Sequence, residues 1–282
     1  MRIVSPAKIN LSLSVGQLQA DGYHCVDSFF HLISLHDILT VESADNFSLS
    51  STVDLSIPDE DNLVVKAAKA MSCIHGKELP AIRIHLEKNI PHGAGLGGGS
   101  SNAAATIFAL SKLWDIPTDD PKNLEVAAGL GSDVPLFLAP TTASVMTGRG
   151  EILKESRKPL TDSSDTPLPI LVLKPQNAYS STGAVYKAFD KDPQPTHDID
   201  TWENNLERAA VEVSPPTGEA LNWLREQGEV KLAQVAGSGS ACWAHCHCAK
   251  DLSFLADKAR AQGYWVAEAS TVGKGIYLIR DA

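Results

Sequence analysis

Residues 91–104, with the sequence PHGAGLGGGSSNAA, are the feature that most constrains the fold of this chain. Glycine at this density lets the backbone adopt positive φ and lets another molecule approach it closely. Residues 100–114 have apolar side chains at helical spacing and no proline, so they predict a helix that begins near Ser100. Free N–H groups and the helix dipole both favour negative charge at such an N-terminus. The segment therefore predicts a phosphate-binding loop.

Other interpretations of the glycine-rich segment are weaker. A long tight turn without a ligand is disfavoured by the number of glycines and by the Ser-Ser start of the helix. The spacing G-x-G-x-x-G also occurs here, but it lies far from the start of any βαβαβ series, and no acidic residue ends a second strand about twenty residues later. The P-loop of many nucleotide hydrolases is excluded, because no Gly-Lys-Ser or Gly-Lys-Thr follows the glycines.

Length and composition indicate a globular protein with two domains or one large domain. The chain has 282 residues, of which 43% are hydrophobic and 21% are charged, and these values are ordinary for a globular fold. The formal net charge of −10 argues against non-specific binding to nucleic acid or to an anionic membrane surface. No apolar run approaches the length of a membrane span.

The N-terminal residues and the cysteines bear on the compartment. Lys8 and Asn10 lie inside the first apolar stretch, so we do not expect a signal peptide. The five cysteines, an odd number in a long chain, do not resemble a secreted disulfide framework. We therefore expect a cytoplasmic protein with reduced thiols, which is either a monomer or a homodimer.

Periodicity predicts the order of the elements. Residues 3–15 alternate as a strand, with Lys8 and Asn10 on one face and with Ile9, Leu11, Leu13 and Val15 on the other. The polar, proline-containing residues 155–169 predict a linker. Further strands are predicted over residues 38–41, 47–49, 81–86, 136–138, 143–146, 170–174, 232–235, 241–248, 265–269 and 275–279. Helices are predicted over residues 63–75, 100–114, 124–130, 180–189, 202–213, 217–227 and 252–262.

For several polar residues the local sequence is compatible with either a structural or a functional role. Lys8, on an otherwise uncharged strand, is either an edge lysine that reaches solvent or a functional ammonium. Tyr23 and His24 follow the turn dipeptide Asp21-Gly22 and either cap a hairpin or offer a stacking ring and an imidazole to a planar heterocycle. Asp133, in the segment GSDVP, is on local grounds a turn former.

The cysteines and histidines of residues 242–248 raise the question of a zinc site. Their spacing fits no standard zinc finger, and His245 and His247 face the opposite side of a strand from Cys246 and Cys248. Because no third ligand accompanies the His-x-His pair, buried cysteines on a core strand are the favoured interpretation.

Four further segments accompany the glycine-rich loop in a fixed order. They are SPAKINLSL at residues 5–13, ADGYH at 20–24, GSDVPLF at 131–137 and GSGSAC at 237–242. Together with the loop they resemble the GHMP kinase superfamily, which includes galactokinase, homoserine kinase, mevalonate kinase and phosphomevalonate kinase. The ADGYH segment in particular resembles the branch that phosphorylates the 2-hydroxyl of a cytidine-diphosphate-linked methylerythritol in the non-mevalonate isoprenoid pathway.

The resemblance implies an α+β fold with two domains and an active site in the cleft between them. Residues 1–155 are expected to form a ribosomal-protein-S5-like N-terminal domain with the ATP loop, Lys8 and Asp133. Residues 156–282 are expected to form a ferredoxin-like C-terminal α/β sandwich. The expected cofactors are ATP and Mg²⁺, and the expected partner is the small-molecule cytidine substrate, with no nucleic acid and no membrane.

The resemblance also implies which residues hold ATP. The amides of residues 95–101 would hold its β- and γ-phosphates, with the helix dipole behind them. Asn62 and Lys88 are candidates for the adenine pocket, and the hydroxyl of Ser100 or Ser101 is the nearest ligand for Mg²⁺. The expected ATP-binding loop consists of Pro91, Gly93, Ala94, Gly95, Leu96, Gly97, Gly98, Gly99, Ser100 and Ser101.

The remaining roles concern phosphoryl transfer and the substrate. Asp133 would take the proton of the substrate hydroxyl, and Lys8 would lie between Asp133 and the transferring group, where it stabilises developing charge. The resemblance places Tyr23 and Tyr186 on the two faces of cytosine, and His24 at its edge. The other expected substrate-binding residues are Asn10, Phe30, Thr182, Gly237, Ser238 and Gly239.

The loop departs from the family pattern at His92 and Ala94, where a hydrophobic residue and a glycine are expected. Neither departure removes an amide, although Ala94 must avoid a strained φ. Two alternatives stay open: another GHMP small-molecule kinase, and a non-catalytic ligand sensor on the same fold. Retention of both Lys8 and Asp133 argues against the sensor.

Overall fold

Two β-sheets with helices packed on them form the fold, and a computed structural model describes residues 1–20, 22–55, 57–150 and 152–279. The strands are β1 (Arg2–Leu18), β2 (His24–Ser43), β3 (Ser48–Ser51), β4 (Ile82–Glu87), β5 (Ala143–Thr147), β6 (Ile152–Arg157), β7 (Pro169–Lys174), β8 (Val230–Val235), β9 (Cys242–Cys246), β10 (Trp265–Ser270) and β11 (Tyr277–Ile279). The helices are α1 (Leu63–Ile74), α2 (Gly98–Leu113), α3 (Pro121–Leu130), α4 (Val134–Leu138), α5 (Thr182–Lys191), α6 (Glu207–Val213), α7 (Pro215–Arg225) and α8 (Ala249–Ala261).

The large sheet is built around the long hairpin of β1 and β2. Its strands run in the order β11-β1-β2-β4-β3, and β5 also pairs with β2 and carries β6. The β3–β4 pair is parallel and the other pairs are antiparallel. The first half of β2 pairs with β5 and its second half pairs with β4.

The small sheet has the order β10-β7-β9-β8, with antiparallel pairs throughout. Helices α5 to α8 bury their apolar residues against it, including Val185, Phe189 and Leu224. Cys242 and Cys246 of β9 are buried and free, which confirms the interpretation of these two as core residues, whereas Cys248 is exposed and lies beyond the end of the strand, so the prediction is wrong for Cys248. Burial raises the pKa of Cys246 to about 12 and lowers the pKa of His245 to about 4.

A further apolar cluster joins the two sheets. Ile9 and Leu11 of β1, Leu96 of the glycine-rich loop and Trp243 of β9 are all at most 1% exposed in this cluster. A buried layer of this kind fixes the loop between the sheets, because the layer cannot shift without opening voids. The division of the chain at residue 155 remains a prediction; the last described strand, β11, pairs with β1 of the large sheet.

The elements confirm the predicted α+β class and most predicted strands and helices, with local corrections. Residues 136–138, predicted as a strand, lie in the short helix α4, because Pro135 occupies its first turn, where a fixed φ near −65° suits a helix. Helix α2 begins at Gly98 rather than at Ser100, after Gly97 in a left-handed conformation.

The predicted helix over residues 202–213 is shorter than expected. Trp202 has a φ of 55°, and α6 begins only at Glu207. The intervening asparagines bond to neighbouring strands instead of continuing a helix: Asn205 Oδ1 accepts from Val15 N (2.8 Å), and Asn204 Nδ2 donates to Gly237 O (2.8 Å). The local sequence pattern does not record these long-range hydrogen bonds, which prevent residues 202–206 from joining the predicted helix.

The predicted alternation of β1 also changes at its centre. Asn10 pairs with Phe30 and Ser12 with Phe29, so Leu11 forms a bulge. A bulge shifts the alternation by one residue. As a consequence, Leu13, predicted on the face of Ile9, lines the same cavity as Lys8 and Asn10.

Candidate active site

The glycine-rich loop passes between the two sheets in a conformation that only glycine tolerates. Gly93, Gly95 and Gly97 have φ values of 63°, 78° and 70°. A Cβ atom on Gly95 would overlap the carbonyl oxygen of Ala236, and one on Gly97 would lie 2.9 Å from the ring of Phe137. The glycines therefore allow both the backbone turn and its close approach to neighbouring chain.

Hydrogen bonds hold this loop on both sides. Lys8 N donates to Leu96 O (3.0 Å), which attaches the loop to β1. On the other side, Ala241 N donates to Ala94 O (3.2 Å), which attaches the loop to the turn before β9. Ala94 is buried and is not among the residues with positive φ, so the departure from glycine at this position causes no strain.

Helix α2 begins at the end of the loop with its N-terminus facing a cavity. Its N-cap, Gly97, has no side chain to accept from the first turn, and Gly98, Gly99 and Ser100 line the cavity. Amides in the first turn of a helix have no partner within the helix, and the dipole adds partial positive charge there. The geometry is that of an anion-binding cradle.

A buried carboxylate fixes the entry to this cradle. Asp37 of β2 is 0% exposed, and its Oδ1 accepts from Asn89 N (2.7 Å) and Ile90 N (2.8 Å), just before the loop. Its Oδ2 pairs with the ammonium of Lys88 and accepts from Asn102 Nδ2 (3.0 Å), in the first turns of α2. Asp37 therefore connects both ends of the loop, and the sequence reasoning did not single it out.

The cavity has a volume of about 520 Å³ and is lined by strands of the large sheet, by α5 and by the turn that follows β8. It is lined by most of the expected site residues: Lys8, Asn10, Phe30, Asn62, Lys88, Pro91, Gly93, Ala94, Gly95, Leu96, Gly97, Gly98, Gly99, Ser100, Asp133, Thr182, Tyr186, Gly237 and Ser238. Four expected residues, Tyr23, His24, Ser101 and Gly239, are not among its described lining residues.

At the centre of the cavity a lysine and an aspartate face each other. Lys8 Nζ lies 3.5 Å from Asp133 Oδ2 and donates to Asn10 Oδ1 (2.7 Å). Asn10 Nδ2 in turn donates to Ser28 Oγ (2.7 Å), and Ser28 Oγ donates to Ser12 O (3.1 Å). The side chain of Lys8 is 7% exposed and that of Asp133 is 39% exposed. The ammonium is thus held in place by a chain of hydrogen bonds, while the carboxylate stays open to a ligand.

One end of the cavity has an apolar wall suited to a nucleobase. Leu55, Ile57, Leu63 and Leu86 line it together with Asn62 and Lys88. Asn62 also caps α1, with its Oδ1 accepting from Val64 N (3.0 Å), so its side chain serves the fold as well as the cavity. Sequence reasoning missed these residues, because apolar side chains that line a site have the same local pattern as those of the core.

Tyr186 lies at the other end of the cavity, on α5. Burial and, second, the charge of Asp133 raise the pKa of Tyr186 to about 12. Its ring centroid lies 5.0 Å from that of the His24 imidazole. His24 Nδ1 lies 2.8 Å from Gly16 O and its Nε2 lies 3.2 Å from Asp190 Oδ1. The imidazole is thereby fixed beside the Tyr186 ring.

Tyr23 is 54% exposed, and the guanidinium of Arg149 lies over its ring, 3.9 Å from the centroid. Arg149 itself lines the cavity. Arg149 was not among the expected site residues, although the glycines on either side of it are typical of a tight turn. Asp21, in the segment ADGYH, and Glu151, which follows this turn, lie outside the described residues.

The residues described hold no cluster of three or more His, Cys, Asp or Glu side chains arranged for a metal. The cavity instead offers hydroxyls at the helix N-terminus. Ser100 lines the cavity, whereas the Oγ of the buried Ser101 lies 2.7 Å from Ser5 Oγ. A divalent ion bound mainly by phosphate oxygens, with one protein hydroxyl, fits this donor set, and Ser100 is the residue best placed to supply it.

None of the helices among the described residues is long and apolar enough to cross a membrane. In comparisons with known proteins, residues 62–140 match the family described as GHMP kinases N terminal domain. Relatives that bear the name 4-diphosphocytidyl-2-C-methyl-D-erythritol kinase include one from Nocardioides sp., which is 33% identical over 94% of this chain and 95% of its own length. Another, from Psychrobacter cryohalolentis, is 33% identical over 99% of this chain and 96% of its own length.

Solved structures are similar over almost the whole chain. A crystal structure of 4-(cytidine 5'-diphospho)-2C-methyl-D-erythritol kinase superposes with a TM-score of 0.79 at 31% identity, covering 96% of this chain and 100% of that one. Homoserine kinase from Cytophaga hutchinsonii, at 16% identity and a TM-score of 0.72 over 99% of this chain and 97% of that one, shares the fold. The expected two-domain GHMP kinase fold is confirmed, and the chain belongs to the 4-diphosphocytidyl-2-C-methyl-D-erythritol kinase family.

Proposed function

We propose that this protein transfers the γ-phosphoryl group of ATP to the 2-hydroxyl of 4-diphosphocytidyl-2-C-methyl-D-erythritol, giving the 2-phosphate and ADP in the non-mevalonate isoprenoid pathway. The observation that carries the proposal is the position of Lys8 and Asp133. They lie 3.5 Å apart in one cavity that also holds the anion cradle and Tyr186. A phosphoryl donor and an alcohol acceptor can meet there.

ATP use follows from membership of a kinase family, and the cradle supports where its phosphates bind. The amides of Gly98, Gly99 and Ser100 face the cavity at the positive end of α2. The base would lie against Leu55, Leu63 and the other apolar residues at that end. We propose Mg²⁺ as the accompanying ion, with Ser100 as its protein ligand. When bound, Mg²⁺ neutralises phosphate charge and helps to orient the triphosphate.

The residues of this chain then have separate tasks in the transfer. The oxygen of the substrate hydroxyl forms a bond to the γ-phosphorus as the bond to the bridging β–γ oxygen breaks. Asp133, whose carboxylate is open to the cavity, accepts the hydroxyl proton. Lys8 stabilises negative charge on the transferring group, and Asn10 and Ser28 hold its ammonium at a fixed place. Positioning and charge stabilisation are what a loose phosphoryl-transfer transition state requires.

The cytidine end rests on Tyr186, Tyr23 and His24. Tyr186 offers an aromatic face inside the cavity, and Tyr23 offers an exposed ring at the edge. Base–aromatic stacking of this kind contributes about 1–3 kcal/mol per base. The ring nitrogens of His24 are held by Gly16 O and Asp190 Oδ1, so we propose that His24 reads the edge of the base through its backbone groups. Thr182 and the turn with Gly237, Ser238 and Gly239 would contact the remainder of the substrate.

The proposed setting is the cytoplasm, in keeping with the five free cysteines of the described chain. The proposal also has the protein act as a monomer or homodimer on a small molecule, with no nucleic-acid partner, in line with its net charge of −10.

A coupled assay of ADP release with three acceptors tests the proposed activity. The cytidine-linked methylerythritol should support turnover, whereas mevalonate and homoserine should not. Turnover with mevalonate or homoserine alone would show that the cytosine site is wrong and that another GHMP kinase activity is present. No turnover with any of the three, in a protein that still binds ATP, would support the ligand-sensor alternative.

A further inference from the structure

Asn204 lies outside the cavity, yet its side chain holds two segments that form the cavity wall. The residue is 8% exposed and is not among the described lining residues. Its Nδ2 donates to Gly237 O (2.8 Å) and to Val235 O (3.1 Å), and its Oδ1 accepts from Leu206 N (3.0 Å). Both N–H groups and the carbonyl oxygen of this amide therefore bond within the protein.

The backbone beside Asn204 is attached to β1. Leu13 N donates to Glu203 O (2.7 Å), and Asn205 N donates to Leu13 O (3.1 Å). Residue 204 thereby forms a parallel bridge with Leu13. The side chain of Asn204 is thus fixed relative to β1, the strand that carries the proposed catalytic lysine.

The turn of residues 236–239, which follows β8, lies directly against the proposed reaction centre. Gly237 has a φ of 56°, and a Cβ on this residue would lie 3.2 Å from Asn10 Oδ1 and 3.6 Å from Lys8 Nζ. The backbone of the turn therefore packs on the hydrogen-bonded pair of Lys8 and Asn10. Because Asn204 holds the carbonyl of Gly237, it connects this turn to β1 from outside the cavity.

We propose that Asn204 is a positioning residue for phosphoryl transfer: through its hydrogen bond to Gly237 O, it keeps the turn of residues 236–239 against the Lys8–Asn10 pair. The inference rests on the proposed function. A loose phosphoryl-transfer transition state depends on positioning, and a displacement of about 1 Å caused far from the reacting atoms can lower the rate by about 100-fold. Asn204 acts on the transfer through the turn and does not touch the substrate.

Two substitutions separate this role from a local structural one. The bond from Leu206 N to Oδ1 of Asn204 is a local turn that a serine oxygen can also accept, whereas a serine is too short to reach Gly237 O. Asn204→Ala should lower the Tm by a few degrees, and Asn204→Ser should recover part of that loss.

The kinetic effect should not follow the Tm. In both variants kcat, measured with saturating substrates well below the Tm, should fall by about tenfold to a hundredfold, because both lose the bond to Gly237 O. KM for ATP should stay within about threefold, since Asp37 and not Asn204 holds the backbone before the glycine-rich loop. A purely structural role would let kcat recover together with the Tm in Asn204→Ser.

Asn205→Ala is the matched control. Asn205 is also 8% exposed and is also bonded to β1, since its Oδ1 accepts from Val15 N (2.8 Å) and its Nδ2 donates to Val15 O (2.9 Å). Its described side-chain hydrogen bonds do not reach residues 236–239. This variant should lose stability, as Asn204→Ala does, and keep its kcat.

The outcomes distinguish this inference from the proposed function. Normal kcat in Asn204→Ala, recovery of kcat along with the Tm in Asn204→Ser, or an equal loss of kcat in Asn205→Ala would overturn the positioning role alone. If the unmodified protein phosphorylates only mevalonate or homoserine, the proposed substrate is wrong, and kcat with that acceptor decides the role of Asn204 by the same criteria. If it phosphorylates none of the three acceptors, the proposed function fails, and the inference fails with it.

Discussion

Lys8 is a buried charge whose partners both stabilise its ammonium and fix its position. The residue is 5% exposed, and an ammonium at such a position is costly unless it is paired and hydrogen-bonded. Asn10 and Asp133 provide these partners, and Asn10 is itself held by Ser28. The cost of burial is offset by contacts that also fix the ammonium beside the proposed reaction centre.

Replacement of the proposed base gives the first prediction at this scale. Asp133→Ala should lower kcat by about 10²- to 10⁴-fold, the usual contribution of a general base, while ATP affinity stays within about threefold. Steady-state kinetics and calorimetric titration with an ATP analogue measure the two quantities. Asp192→Ala removes an exposed carboxylate that pairs with Arg208, outside the cavity, and should leave both unchanged. Near-normal turnover of Asp133→Ala would remove Asp133 from the mechanism.

Asp37 gives a second prediction, about positioning. In Asp37→Asn, the buried ammonium of Lys88 loses its counter-charge, so the free energy of unfolding should fall by about 3 kcal/mol. Because Asp37 also holds the backbone before the glycine-rich loop, KM for ATP should rise by roughly tenfold and kcat should change much less. Urea unfolding and initial-rate kinetics measure both effects.

Glu207→Gln is the control for Asp37→Asn. Glu207 of α6 pairs with Arg225 of α7 (2.9 Å), away from the cavity, so the change removes one carboxylate of an ion pair elsewhere in the fold. It should leave KM for ATP unchanged. If the two variants change KM for ATP equally, Asp37 contributes to stability alone.

Among the elements, the glycine-rich loop depends most directly on residue type. Gly95→Ala should lower stability by about 2–4 kcal/mol and weaken ATP binding by roughly tenfold or more, because a φ of 78° and contact with Ala236 O exclude a side chain. Thermal unfolding and ATP titration test this. Gly129→Ala, in α3 with no atom within 4 Å of the new Cβ, should keep ATP affinity and gain up to about 1 kcal/mol of stability. Normal ATP binding by Gly95→Ala would contradict the cradle.

The same element shows what sequence could and could not predict. The glycines, the following helix and the strand before it are local patterns, and all three were predicted close to their observed bounds. Asp37 could not be found, because its partners lie more than 50 residues away in Asn89, Ile90 and Asn102. No local pattern encodes a contact made by folding.

The wrongly predicted elements are also explained by contacts that form only on folding. Pro135 starts a short helix where three apolar residues had suggested a strand, and the bulge at Leu11 turned Leu13 toward the cavity. Both depend on how the chain packs against its neighbours, which periodicity does not record. The roles of Lys8, Asp133 and Tyr23 came from resemblance, since their local patterns were ambiguous; the structure adds their geometry.

Across the whole molecule, buried histidines link stability to pH. Burial lowers the pKa of His245 to about 4 and lowers that of His31 as well. The imidazole of His245 is therefore neutral in the folded state at pH 5–6, where that of the unfolded chain binds a proton, and the shift of His31 acts in the same direction. Folding stability should be at its full value above about pH 6.5 and should fall as pH decreases toward 4.

His245 alone should account for a loss of roughly 2 kcal/mol between pH 7 and pH 4.5. Urea unfolding across this range measures the slope, and His245→Gln should reduce it, because glutamine does not titrate. An unchanged slope in His245→Gln would contradict the assignment.

The cavity of the site has one end lined by apolar side chains beside the anion cradle and another end at Tyr186, and the central claim is that a phosphoryl group passes from the nucleotide at the first end to the substrate at the second. The most direct test identifies the product by ³¹P NMR after incubation with ATP, Mg²⁺ and the cytidine-linked methylerythritol. The predicted result is a new phosphomonoester resonance, coupled to the carbon that bears the 2-hydroxyl, with an intact diphosphate and an equal amount of ADP. ADP without that resonance, or a phosphate on another hydroxyl, would contradict the account.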